Sequence, residues 1–162
     1  MAELTNLETK LGEVIGLAMA AQAATERVEK LTTDRKLVSA LKTMRKEAVQ
    51  AEKDGTAVAA TLDGKKSKIM SEARSVKTKG ATMMKTYLER GSDDLDGFEF
   101  LTMAEAGEVG HWSVLQELNK QTKHPGVRKL VGTHLPIQKR HLKDVMAASL
   151  QLAAKEDANA EA

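Results

Sequence analysis

VIGLAMAAQAA, residues 14 to 24, is apolar on nearly every side of a helical projection and lies in the middle of a longer pattern. Around it, Leu4, Leu7, Leu11 and later apolar residues recur at steps of three and four, the spacing of one helix face. The pattern predicts a first helix over residues 3–31. Because its middle has no polar face, this helix is expected to be central in a bundle or covered by a second subunit.

The whole chain has the composition of a helical protein. Its 162 residues include two prolines, two phenylalanines, one tyrosine and no cysteine. Its abundant Ala, Leu, Met, Glu and Lys lose little rotamer freedom in a helix. The composition therefore predicts an all-α fold in a single domain. The lack of cysteine excludes disulfides, thiolate metal sites and a cysteine nucleophile.

Periodicity and capping signals predict four further helices. Thr32, Thr33 and Asp34 offer caps, and so short a connection makes the second helix an antiparallel neighbour of the first. Residues 54–64, which are bracketed by glycines and lack sustained charge, read as a connector or a frayed continuation of the second helix. The predicted ranges are 34–53, 65–90, 94–122 and 125–155, within a domain over 1–157 that is followed by a frayed tail at 158–162.

Charge and hydropathy limit the partners of the chain. Twenty-five basic residues nearly balance 23 acidic ones, and the formal charge of +2 is too small to indicate nucleic acid by itself. The start, MAELTNLETKLGEV, is acidic where a secretory signal is basic, and no apolar run has the length of a membrane span. A cytoplasmic protein without a membrane partner is predicted. The apolar surface around most of the first helix favours a homo-oligomer, of which a dimer is the commonest form.

Polar residues interrupt the apolar stripes of the two C-terminal helices. On the fourth helix, Glu108 and His111 are three residues apart beside Trp112, the only tryptophan. The stripe of the fifth helix contains His134, Gln138 and His141. Buried carboxylate and imidazole groups need hydrogen-bonding partners, because each one that lacks a partner lowers the stability of the fold by an amount on the order of kcal/mol. A divalent metal would satisfy several of them together.

Spacing narrows the set of ligands. His134 and His141 are seven residues apart, about 10 Å along a helix at roughly 1.5 Å per residue, so they cannot easily grip one ion. The preferred metal-facing residues are Glu108, His111, Gln138 and His141, with Glu13, Glu47 and His134 as second choices. This mixture of imidazole and carboxylate suits iron, manganese or zinc, and its few acids favour one ion over two.

Two short matches suggest an internal repeat. GEV at 12–14 recurs at 107–109, and RKLV at 35–38 recurs at 128–131, with nearly the same separation. Both matches fall at equivalent points of two predicted helical hairpins. A duplication would relate the two hairpins by a pseudo-twofold axis, and residues 54–93 would cross from one to the other.

This arrangement resembles the ferritin-like superfamily, whose bundles are two helical hairpins joined by one long crossover. The family has a Glu on its first and third bundle helices and Glu-x-x-His on its second and fourth. Glu13 and Glu108 match the lone glutamates, and Gln138-Lys139-Arg140-His141 resembles the last motif with an amide in place of the acid. On the second helix, Glu47-Ala48-Val49-Gln50 ends in Gln, and neither His111 nor His134 has a counterpart.

The resemblance implies an antiparallel bundle in which residues 65–90 form an added crossover helix. It also implies a transition metal within the bundle and a redox or stress-related role. Because the dinuclear set is incomplete, the resemblance favours a single site over iron storage in a cage.

Two other functions stay open. In a metal-free bundle, the same polar groups would form a buried network that fixes the helix register of a partner-binding or assembly module. Residues 65–85 carry seven basic residues against one acid, which suggests nucleic-acid binding. No aromatic residue interleaves these basic residues, however, so a solvated helix face is the simpler interpretation.

Overall fold

The computed structural model describes residues 3–161, which form five helices and no strand. The helices are α1 (Asn6–Leu31), α2 (Arg35–Ala60), α3 (Lys66–Tyr87), α4 (Asp94–Thr122) and α5 (Pro125–Ala153). The predicted all-α fold is confirmed. Residues 154–161 follow α5 without helical structure and are exposed. Residues 1, 2 and 162, where the predicted domain starts and the predicted tail ends, lie outside the described range.

Local capping residues fix several of the helix ends. The Thr5 hydroxyl accepts a hydrogen bond from the Glu8 backbone, and the Glu8 carboxylate accepts one from the Thr5 backbone, so the two form a capping box. Asp34 caps α2 through its carboxylate, as the sequence predicts. Lys123 ends α4 in the left-handed conformation with φ 54°, and Pro125 opens α5.

The second helix is longer than the sequence predicts. Residues 54–60, for which the sequence left a connector or a frayed continuation open, continue α2 to Ala60, so the predicted end at residue 53 is seven residues too early. Gly55 is buried against α1, where an added Cβ would lie 2.7 Å from Cγ1 of Ile15. The glycine that suggested a break is therefore a point of close contact between two helices. α3 ends at Tyr87, three residues before its predicted end.

α1 is central in the bundle, one of the two positions expected from its apolar middle. It packs against α2, α3 and α4, whereas α5 packs against α4 and α2. Side-chain hydrogen bonds show that the pairs α1–α2 and α4–α5 both run antiparallel: Gln22–Glu52, Glu29–Arg45, Thr102–Ser149 and Glu108–Gln138. The connection from α2 to α4 contains α3, which packs chiefly on α1.

Small residues let α3 lie directly against α1. Gly12, Gly16 and Ala20 of α1 meet α3 at successive levels, and the two helices run parallel. A Cβ added at Gly12 would stand only 2.8 Å from the backbone oxygen of Ile69. A larger residue at this position would push the two backbones apart. Gly12, together with Gly16 and Ala20 of the apolar middle, therefore positions α3.

The interior contains two apolar clusters, one toward each end of the bundle. Along α4, Trp112 and Leu115 belong to the first cluster, whereas Phe98 and Leu101 belong to the second. We use the name polar layer for the buried polar residues of α4 and α5 that lie between the two clusters: Glu105, Glu108, Gln138 and His141. The polar layer is therefore a break in the apolar core at mid-height.

Gly16→Ala is expected to lower the free energy of unfolding by about 1–3 kcal/mol. The added methyl group collides with the backbone oxygen of Ala73, and this overpacking outweighs the ~1 kcal/mol gained in helix propensity. Gly110→Ala on α4 is the matched control, because a Cβ there meets nothing within 4 Å. The control is expected to gain up to about 1 kcal/mol. Urea unfolding followed by circular dichroism measures both variants, and equal gains would contradict the close approach of α1 and α3.

Candidate functional site

A buried hydrogen bond links α4 and α5 inside the polar layer. Gln138 Nε2 donates to Glu108 Oε2 at 2.8 Å, and the two side chains are only 2% and 3% exposed. The structure thus brings together two of the residues that the sequence suggested as metal-facing. The other amide atom, Gln138 Oε1, is buried without a hydrogen-bond partner.

His141 lies between two carboxylates. Its Nδ1 is 3.6 Å from Glu105 Oε2, and its Nε2 is 3.5 Å from Glu47 Oε2 on α2. Both separations exceed the usual hydrogen-bond length of about 2.7–3.2 Å. His141 Nε2 and Glu105 Oε2 are both buried, and at these distances neither has a hydrogen-bond partner. Glu47 also contacts Arg140, which holds this carboxylate at the edge of the polar layer.

Two acids share the polar layer. Burial raises the pKa of Glu108 well above its ordinary value, and repulsion from the neighbouring Glu105 raises it further. The ionised form of Glu108 is disfavoured because low-dielectric surroundings and a second carboxylate both oppose its negative charge. A proton or another cation at this position relieves both effects.

Sequence reasoning missed Glu105. It precedes Glu108 by three residues in MAEAGEV, residues 103 to 109, so the two carboxylates are neighbours on one helix face. This spacing was the available signal. Because glutamates are almost never fully buried unless paired, a glutamate without a cationic partner nearby in the sequence is more simply interpreted as a surface residue.

His111 lies outside the polar layer. Its Nδ1 is 3.1 Å from Glu13 Oε2 and 3.1 Å from Lys10 Nζ on α1, and its side chain is 41% exposed. A step of three residues turns a helix by about 300°, which places His111 roughly 60° around the axis from Glu108. The expected convergence of His111 with His141 is therefore not observed. Glu13 pairs with His111 and Lys10 and does not face the interior.

His134 is buried and pairs with a half-exposed carboxylate at the edge of the bundle. Its Nε2 is 2.8 Å from Asp54 Oδ2, and its ring centroid lies 5.6 Å from that of Trp112. Asp54 lies in the part of α2 that the sequence left as a connector or a frayed continuation, so this partner was not predicted. His134 thus has a carboxylate partner of its own and does not join His141.

The donors are close to a metal-binding arrangement without forming one. No group of three or more His, Asp or Glu side chains within residues 3–161 could hold a metal ion as it stands. Two ligands of a tetrahedral ion with bonds of about 2.1 Å are about 3.4 Å apart. The separations of His141 from Glu47 and from Glu105 are similar, but the two carboxylates face opposite nitrogens of the ring. Binding one ion would require at least one carboxylate to turn.

The basic residues of α3 do not form an aromatic-lined groove. Lys65, just before the helix, binds Glu8 of α1 at 2.9 Å, whereas Arg74, Lys77 and Lys79 are exposed. The aromatic residue of α3 is Tyr87 at its last position. This distribution is typical of a solvated helix face.

Comparisons of the chain with protein-family models, with curated proteins and with solved structures give no match. Within residues 3–161, no helix combines the length and the apolar character needed to cross a membrane. The function is accordingly inferred from the side chains themselves.

In metal-free protein, Glu108→Gln is expected to gain stability relative to the wild type as the pH rises. Because the folded pKa of Glu108 is raised, the folded state binds more protons than the unfolded state at pH values between the two pKa values. The free energy of unfolding therefore falls with pH in a window that opens near the ordinary value of 4.5. The neutral amide of Glu108→Gln does not titrate, so the variant does not lose stability in this way. The difference in free energy of unfolding between the variant and the wild type therefore grows by about 1.4 kcal/mol per pH unit inside the window.

Urea unfolding at a series of pH values from about 4 to about 7 measures this difference. Glu99→Gln, a substitution at an exposed position of the same helix, is the control. If Glu108→Gln and the control differ from the wild type by amounts that do not change with pH, the raised pKa of Glu108 is contradicted.

Proposed function

We propose that the polar layer binds one divalent transition metal ion, which is iron, manganese or zinc, within a ferritin-like bundle. The observation that carries this proposal is a set of three buried polar atoms without partners: Glu105 Oε2, Gln138 Oε1 and His141 Nε2. Buried polar atoms in proteins are nearly always hydrogen-bonded, so three unpartnered atoms in one layer call for a ligand. Each of the three can offer a lone pair to a cation.

The chemistry of the donors supports a transition metal. Calcium and magnesium prefer shells of oxygen alone, whereas a shell of imidazole and carboxylate suits zinc, iron and manganese. The residues that would hold the ion are Glu47, Glu105, Glu108, Gln138 and His141. The ion would replace the proton that the buried acid pair otherwise retains, and it would supply Lewis-acid or redox chemistry when bound.

The helix arrangement supports the ferritin-like part of the proposal. Two antiparallel hairpins lie side by side, the connection between them carries α3, and the polar layer lies in the middle of the bundle. α1 contributes no acid to this layer, because Glu13 is paired with Lys10 and His111. A site built from α2, α4 and α5 has room for the ligands of one ion, in keeping with the incomplete dinuclear pattern of the sequence.

The metal-free network is the competing explanation of the same residues. A network that serves only to fix helix register is stable when every member is hydrogen-bonded. The unpartnered atoms of Glu105, Gln138 and His141 count against this explanation. An experiment that measures metal binding distinguishes the metal site from the metal-free network.

Protein stripped with a chelator and reloaded with manganese, iron or zinc is expected to retain about one ion per chain after desalting. His141→Ala should lose this ion, because the variant removes the single imidazole of the polar layer. His111→Ala is the matched control and should retain the ion, since His111 binds Glu13 on the outer side of α4. Elemental analysis gives the stoichiometry, and circular dichroism verifies that both variants are folded.

Failure of all three metals to bind the wild type would contradict the proposal in favour of the metal-free network. Loss of the ion in His111→Ala, with retention in His141→Ala, would assign the metal to the outer pair of Glu13 and His111. Either result would remove the polar layer as a metal site.

A further inference from the structure

A cavity of about 200 Å³ lies between α1, α3 and α4, directly beside the polar layer. Small and apolar side chains form most of its wall, among them Leu17, Ala20, Ala21, Ala24, Phe100 and Met103. Glu105 and Glu108 also line it. A concave, mostly apolar site with a few converging polar groups is the usual form of a small-molecule pocket.

The polar part of the cavity is acidic. Glu105 and Glu108 are 2% and 3% exposed, and their Oε2 atoms lie near His141 and Gln138 of α5, a helix that contributes no residue to the cavity wall. Among the described residues that line the cavity there is no lysine or arginine, and the basic group is the half-exposed His111 at the rim. The cavity wall thus contains two buried carboxylates and no lysine or arginine. An anionic ligand would meet two carboxylates, and a pure hydrocarbon would leave Glu105 unsatisfied.

We propose that this cavity binds a small organic cation, a primary ammonium on a compact hydrocarbon body. The ammonium donates hydrogen bonds to Glu105 and Glu108, and the hydrocarbon packs against the alanines and Phe100. An apolar cavity of about 150 Å³ binds benzene, so this cavity is large enough for a six-membered ring with one small substituent. Cyclohexylammonium has this size and this chemistry.

This site goes beyond the proposed metal function and does not require it. The two ligands share Glu105 and Glu108, so a metal ion and an ammonium would compete for the same negative charge. Binding of the ammonium is therefore best measured on metal-free protein in the presence of a chelator. The same protein can then be tested with metal.

Calorimetric titration of the metal-free protein with three probes of equal size tests the proposal. Cyclohexylammonium is expected to bind saturably, at one site per chain and at least tenfold more tightly than neutral cyclohexanol. Cyclobutanecarboxylate, which has the same number of non-hydrogen atoms as the other two probes, should give no binding. Glu105→Gln should weaken ammonium binding about tenfold or more while leaving the weak binding of cyclohexanol unchanged.

A matched pair of variants locates the ligand. Gly107 lines the cavity, and Gly110 on the same helix does not; an added Cβ at either position meets nothing within 4 Å. Gly107→Leu is expected to block the cavity and abolish ammonium binding, whereas Gly110→Leu should bind like the wild type. Circular dichroism verifies that both variants are helical.

Several outcomes would overturn the inference. Equal affinity for the ammonium and the alcohol would show that the acids do not recognise the ligand. Undiminished binding by Gly107→Leu would place the ligand outside the cavity. If titration with cyclohexylammonium gives no heat of binding, the cavity does not bind this cation. Protein that binds metal and not the ammonium contradicts this inference alone. Protein that binds the ammonium and not metal contradicts the metal proposal alone.

Discussion

The constraint on which this structure depends is the burial of two carboxylates for which the interior has too few hydrogen-bond donors. Glu105 and Glu108 lie together between two apolar clusters, where the facing groups are an amide and one imidazole. Buried polar groups of this kind cost free energy unless they are fully paired. The chain offsets part of the cost with the hydrogen bond from Gln138 and leaves three polar atoms unpartnered. A cation from outside the chain would satisfy what remains.

The same small residues that make α1 central also create access to the polar layer. Near Gly12 and Gly16, the backbones of α1 and α3 lie so close together that a Cβ atom on either glycine would collide with α3. Further along, where Ala21 and Ala24 face α4, the short side chains leave a cavity that reaches the buried acids. Gly16 at one level and the alanines at the next both belong to the VIGLAMAAQAA stretch, and Gly12 adds to the close packing one turn before it. The apolar middle of α1 therefore positions α3 and shapes a cavity beside the polar layer.

Local signals predicted the helices well and the site less well. α4 begins and ends where the sequence indicates, because capping residues act over a few positions. The end of α2 was missed because Gly55 is a packing contact with Ile15, which no local pattern reveals. The inward-facing positions of Glu108 and Gln138 were predicted from helical spacing, whereas His111 was misplaced because a rotation of about 60° decides between interior and rim. The two GEV matches show the same limit, since Glu108 is buried and Glu13 binds surface partners.

The central claim is that the polar layer is a binding site for a cation and not a closed structural network. Anomalous diffraction from crystals grown with zinc or manganese tests this claim most directly, because it locates the ion relative to the side chains. The account predicts one anomalous peak in the middle of the bundle, within bonding distance of His141 and of a carboxylate from Glu47 or Glu105. A peak confined to Glu13 and His111, or an interior without any peak, would contradict it.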